Sequence, residues 1–235
     1  MSQAAPPKGP RRARILLVED HPIVRQGLSQ LIGQEPGLEV SCVADDAASA
    51  LRAVKEHRPD MAIVDISLKS EDGLELVKDL RARKFSLPVL VLSMHEESVY
   101  AERALRAGAQ GYVMKGEPTP RLIAAIRRVL AGDICFSPAV QSEILRRQMG
   151  EAPSGLSPVD LLTDRELHIF GLIGQGFSTR EIAGIIHRSG KTVEAHRENI
   201  KMKLGLKNSP QLVRSAVQWA CSGERPAPGR KPRRD

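Results

Sequence analysis

The sequence predicts an α/β doubly wound parallel five-stranded sheet followed by a small all-α four-helix domain. Three observations carry that prediction. Short apolar runs, Ile15-Leu16-Leu17-Val18, Met61-Ala62-Ile63-Val64 and Val89-Leu90-Val91-Leu92, recur through the first half; continuous rather than alternating runs suit parallel strands buried on both faces. Residues with helical spacing lie between them. Strand signals then stop near Gly132, and helix-capping patterns replace them.

The elements follow in order. Ile15–Val18 is the first strand. Val24, Leu28, Leu31 and Ile32 repeat at helix spacing behind Pro22, which suits a first helical turn. Leu38–Val43 is a weaker second strand, Met61–Val64 and Val89–Leu92 the third and fourth, and Gly111–Met114 a weaker fifth. Leu122, Ile126 and Val129 mark a helix ending near Ala131. Strand and helix thus alternate five times over residues 14–131, and right-handed crossovers close them into one sheet. Residues 132–156, with Gly150, Pro153 and Gly155, read as a linker with a short helix around Val140–Arg147. In residues 157–221, Thr163-x-x-Glu166 and Ser178-x-x-Glu181 are capping-box patterns. Gly176 can end the first of these helices. A third helix runs from about Lys191 to Leu204, and Asn208 or Ser209 before Pro210 starts a fourth. The tails, 1–13 and 222–235, are basic and Pro-rich and are expected to be disordered.

Composition narrows the function classes. The net charge is +7 over 235 residues. Each tail contributes +3, residues 14–156 carry a small negative balance, and residues 157–221 hold nine basic against six acidic groups. The second half is therefore the one suited to a polyanion. Aromatic residues make up only 3%, so the cores must be aliphatic. Cys42, Cys135 and Cys221 are far apart, which argues against a disulfide framework or a zinc site. No apolar run approaches the ~18 residues that a membrane span needs. With no apolar stretch behind the basic start to make a secretory signal, the expected compartment is the cytoplasm.

In an open parallel sheet, ligands bind beyond the carboxyl ends of the strands. Glu19 and Asp20 follow the first strand, Asp65 the third, Ser93 the fourth and Lys115 the fifth. Clustered carboxylates make a site for a hard divalent cation, Mg²⁺ foremost. One carboxylate can act as a nucleophile toward phosphorus, while Lys115 and Ser93 hold phosphoryl oxygens. Any one of these residues alone reads as an ordinary solvated side chain; five at the ends of four strands do not.

Glu19-Asp20-His21-Pro22, the run ending in Asp65, Leu92-Ser93-Met94 and Gly108-Ala109-Gln110-Gly111-Tyr112-Val113-Met114-Lys115 resemble receiver domains of two-component systems, over roughly residues 13–132. The resemblance implies a flavodoxin-like fold with Asp65 as phosphoacceptor. It implies Mg²⁺ held by Glu19, Asp20, Asp65 and the backbone carbonyl of Ser67. Ser93 and Tyr112 would form the switch pair, the ring following the hydroxyl inward. Two departures stand out: Ser67-Leu68-Lys69-Ser70 lacks the proline common after the acceptor, which predicts a looser turn, and Met94 is large for its place. Phosphatases of the haloacid-dehalogenase type also use a strand-end aspartate. They need a second acid two residues on, where this chain has Ser67, so no enzyme is expected.

Leu162-Thr163-Asp164-Arg165-Glu166, Gly174–Ala183 and Lys191–Leu204 resemble the LuxR-type helix-turn-helix over about residues 157–221. With the receiver resemblance, this identifies the chain as similar to the NarL/FixJ family of response regulators. The third helix supports that reading by itself. Val193, Ile200 and Leu204 form an apolar stripe; Glu194, Arg197, Glu198 and Lys201 form a charged one that can enter a major groove. Arg197 suits guanine and Glu194 a cytosine amino group. Lys191, Thr192, Lys201 and Lys203 suit phosphates, with Ala195 on the same surface. His196 reads as a packing residue. The bland alternative is a solvated helix with intrahelical ion pairs. The implied partners are double-stranded DNA, a sensor histidine kinase and a second copy of the chain in the active state, with no membrane. An alternative function is phosphorylation-independent DNA binding, with the receiver serving only to dimerise.

Overall fold

The computed structural model describes residues 11–68, 72–94, 97–138, 140–142, 158–186 and 188–222. The chain forms two compact units, Met1–Ile144 and Leu145–Asp235.

The first unit is one five-stranded parallel sheet, β1 (Ala13–Val18), β2 (Leu38–Ala44), β3 (Met61–Asp65), β4 (Val89–Ser93) and β5 (Gly111–Met114), in the order β2-β1-β3-β4-β5. Five helices separate or follow the strands: α1 (Pro22–Gly33), α2 (Ala47–His57), α3 (Gly73–Ala82), α4 (Glu97–Ala107) and α5 (Thr119–Leu130). Of the three strands readable as solid apolar runs, β3 and β4 are buried at every position and β1 over Ile15–Val18. β2 is an edge strand with its middle part-exposed, and its signal is correspondingly weak. Pro22 occupies the first turn of α1 as expected. α5 buries Leu122, Ile126 and Val129 against Ile63, Leu90 and Val113 of the sheet. The core is mainly aliphatic.

Two expected boundaries move. The tail was expected to reach residue 13, yet Ala13 already belongs to β1 and Arg11 pairs with Asp60 at 2.9 Å. The receiver-like unit was expected to end at 131, yet the chain beyond α5 returns along the sheet. Cys135 bridges Gly111 in parallel on the outer side of β5, and Phe136 is buried. A single bridge on an edge is too short to show a strand period. Residues 138 and 140–142 are helical, matching the start of the expected short helix. The rest of that helix, the Gly150–Gly155 stretch, residues 1–10 and residues 223–235 lie outside the described residues.

The second unit opens with a 3-10 turn at Pro158–Leu161, followed by α6 (Asp164–Gly174), α7 (Thr179–Ile185), α8 (Gly190–Leu204) and α9 (Ser209–Ser222). Both capping boxes form: Thr163 with Glu166 opens α6, and Ser178 with Glu181 opens α7. Gly176 follows α6 at φ +90°, and Asn208 accepts from Gln211 N–H at the start of α9. Val193 and Ile200 bury the inner stripe of α8, and Phe170 of α6 meets Trp219 of α9 with centroids 5.6 Å apart.

Candidate functional site

The sheet register builds the acidic cavity. Val18 pairs with Val64, so the residues leaving β1 come out beside the end of β3. Ligand atoms of Glu19, Asp20, His21 and Asp65 all lie within 4.8 Å of one another. The three carboxylates are 1%, 1% and 2% exposed. Lys115, just past β5, donates from Nζ to Glu19 Oε2 at 2.6 Å and to Asp65 Oδ2 at 2.8 Å. Its N–H donates to the carbonyl of Ser93, which holds the ends of β4 and β5 together.

Burial pushes the Asp65 carboxyl above the usual range, Lys115 opposes that shift, and the Glu19 charge reinforces it. Burial alone would lower the Lys115 ammonium, but Asp65 and Glu19 outweigh it and hold the group above its ordinary value. One ammonium faces three buried carboxylates, and the Asp20 oxygens accept no hydrogen bond. His21 Nδ1 stands 2.8 Å from Asp20 Oδ1, outside hydrogen-bonding alignment. A buried carboxylate without a donor is costly unless a cation completes it. An all-oxygen anionic donor set of this kind fits Mg²⁺.

The described ends of the loop after Asp65 are held together. Ser67 and Asp72 form an antiparallel bridge, Ser67 N–H donates to Asp65 Oδ1 at 3.2 Å, and Gly73 N–H donates to the Ile66 carbonyl at 2.8 Å. A Cβ on Gly73 would stand 2.0 Å from the Asp65 carbonyl oxygen, so only glycine lets α3 begin there. Residues 69–71, and with them the turn expected to be looser, lie outside the described residues. Ser93 is fully buried, and the Tyr112 ring is already covered rather than projecting. Met94 is 71% exposed beside Ser93. Sequence reasoning gave no role to His21, whose backbone N–H donates to Glu19 Oε1 at 3.0 Å; its place two residues after a pocket acid was the available signal.

In the second unit, α8 presents Lys191, Glu194, Ala195 and Glu198 to solvent. Arg197 and Lys201 lie back, only 12% and 14% exposed at their side chains, beside Glu194 and Glu198. Thr179 Oγ1 donates to Glu194 Oε1 at 2.6 Å, so Glu194 also joins α7 to α8. Thr192 shares a hydroxyl contact with Ser189, the N-cap of α8. The Lys203 ammonium donates to buried Glu166 at 2.6 Å. His196 is half-buried, and burial with nearby Arg165 and Arg188 holds its imidazole below the ordinary value.

Residues 15–127 match the response regulator receiver domain family, and residues 160–216 the luxR family of bacterial regulatory proteins. The chain is 35% identical over 211 residues to the oxygen regulatory protein NreC of Staphylococcus epidermidis, covering 87% of this chain and 97% of that one. A LuxR-family two-component response regulator from Aurantimonas sp. is 38% identical, covering 59% of this chain and 99% of its own, with a TM-score of 0.53. RcsB of Salmonella enterica serovar Typhimurium, bound to promoter rprA with the phosphomimetic BeF3-, shares the fold at 24% identity and a TM-score of 0.56, covering 88% of this chain and 99% of its own.

Proposed function

Because the chain belongs to the NarL/FixJ family of two-component response regulators, DNA-binding transcription regulators rather than enzymes, we propose that phosphorylation of Asp65 by a partner sensor histidine kinase controls its binding to double-stranded DNA. The observation that carries this reading is the convergence of Glu19, Asp20, Asp65 and Lys115 on one buried cavity.

In this reading Glu19, Asp20, Asp65 and the Ser67 carbonyl would hold Mg²⁺, which when bound would offset the negative charge that a phosphoryl donor meets. An Asp65 carboxylate oxygen attacks the phosphorus of a phosphohistidine. The new O–P bond forms as the N–P bond breaks, and the imidazole leaves with the electron pair. Lys115 then exchanges a carboxylate contact for a phosphoryl oxygen, and Ser93 donates to another. Ser93 and Tyr112 carry the change to the surface of β4, α4 and β5.

On the DNA side, α8 enters the major groove by its N-terminal half, the usual reading end of such a helix. Lys191 and Thr192 reach phosphates, Glu194 and Ala195 face bases, and Arg197 and Lys201 contact DNA once they turn away from their glutamates. Lys203 acts through Glu166, fastening α8 to the start of α6. Two phosphorylated copies bind paired half-sites with the gain that linkage confers. No helix among the described residues is long and apolar enough to cross a membrane, which suits a cytoplasmic regulator. The test is phosphate uptake from acetyl phosphate with Mg²⁺, followed by DNA binding, for wild type and Asp65→Asn. Uptake and tighter DNA binding are expected for wild type alone; label entering the Asn variant would remove Asp65 from the role.

A further inference from the structure

The chain leaving α5 is fastened to the surface that the phosphorylation reading makes mobile. Cys135 N–H donates to the Gln110 carbonyl at 2.7 Å, and the Cys135 carbonyl accepts from Tyr112 N–H at 3.0 Å. The backbone of the switch tyrosine is thus bonded directly to this segment. Gly111 makes the approach possible, since a Cβ there would stand 3.1 Å from both Cys135 Cβ and its carbonyl oxygen and 2.8 Å from Leu90. Phe136 is buried, which anchors the strap next to β5.

One residue further on, the strap starts a helix, described at residues 138 and 140–142. Ser137 behaves as its N-cap: its carbonyl accepts from Gln141 N–H at 3.0 Å, its hydroxyl accepts from Val140 N–H at 3.4 Å, and Pro138 sits at the first helical position. A capping box would place a carboxylate three residues on to receive the N-cap's own N–H. That position is Val140. The missing carboxylate comes from elsewhere: Glu97, the first residue of α4, accepts Ser137 N–H on Oε1 at 2.6 Å. α4 therefore completes the cap of a helix to which it does not belong.

We propose that Glu97 is a latch between α4 and the helix beginning at Pro138, and that phosphorylation opens it. The proposal rests on Asp65 being the phosphoacceptor. When the surface around Ser93, α4 and Tyr112 rearranges, the Glu97 carboxylate leaves Ser137, and the strap loses registry with Tyr112. The helix beginning at Pro138 loses its cap, and the DNA-binding unit gains freedom to pair with a second copy. The sensing element is the junction itself, so no separate docking surface between the units is required.

The test uses full-length protein, hydrogen exchange over residues 135–141, phosphate label from acetyl phosphate, and DNA affinity. In wild type, phosphorylation speeds exchange at Ser137 by roughly five-fold, the bias that one helix cap confers. Glu97→Ala takes up label as wild type does. It exchanges fast without phosphate and binds DNA with an affinity that no longer responds to phosphorylation. Glu97→Gln, which keeps an acceptor oxygen, stays close to wild type. Wild type that takes up label with no change at Ser137, or Glu97→Ala that retains the full phosphorylation response, overturns the latch alone. Absence of label from wild type overturns the phosphorylation reading and the latch with it.

Discussion

Asp65→Asn should make the receiver unit more stable while abolishing its function, provided divalent cations are absent. The Asp65 carboxyl is raised by burial, so its ionised form is less welcome in the folded chain than in the unfolded one. That cost is absent below the unfolded carboxyl range, near ~4, grows as pH rises toward the folded value, and is complete above it. Asparagine keeps an oxygen for Ser67 N–H, and Lys115 keeps Glu19. What is lost is one charge-assisted hydrogen bond, about 1.5–3 kcal/mol. What is gained is release from burying a third carboxylate, a cost of several kcal/mol per ion. The balance is a gain of about 1 kcal/mol, or about 3 °C in midpoint for a domain of this size. Mg²⁺ should reverse the order by adding about 1.4 kcal/mol to wild type at ten times its dissociation constant. The assay is circular-dichroism denaturation of the full chain in EDTA and in Mg²⁺. Trp219 fluorescence identifies the second unit's transition, leaving the other to the receiver. An Asn variant less stable than wild type in EDTA would refute the reasoning.

Three further outcomes are expected. Lys203→Met should lower the stability read from the Trp219-monitored transition by about 1 kcal/mol. Burial alone would raise Glu166, but Lys203 and Thr163 outweigh it and hold the carboxyl below its ordinary range. Wild type should therefore shed this stability as pH falls through the folded value, with the variant flatter; an unchanged midpoint would deny the pair a structural role. Ile200→Ala, at a fully buried position, should cost the second unit about 3 kcal/mol in the same assay, and a negligible loss would mean α8 is not packed through that stripe. Lys191→Gln should reduce the salt dependence of DNA binding by about one phosphate contact without altering sequence preference. A changed preference would instead make Lys191 a base reader.

Local patterns were enough to place most of the fold. Solid apolar runs give away β1, β3 and β4 because both faces of a central parallel strand must be dry. The two capping boxes and Gly176 are equally local, since each satisfies backbone groups within one turn. The edge elements were fainter. β2 shows half a pattern because half of it meets water, and the Cys135–Phe136 strap shows none because it is short and borrows its order from β5.

The site divides the same way. The kinds of residue at the strand ends, and hence the chemistry open to them, could be read from the chain in order, because the ends of parallel strands must share one rim. Distances and partners could not. Only the folded structure pairs Lys203 with Glu166 and sets Glu97 on Ser137. Both join groups from elements far apart in the sequence. Spacing along the sequence says which side of a helix a residue occupies, but the nearest opposite charge is decided by packing.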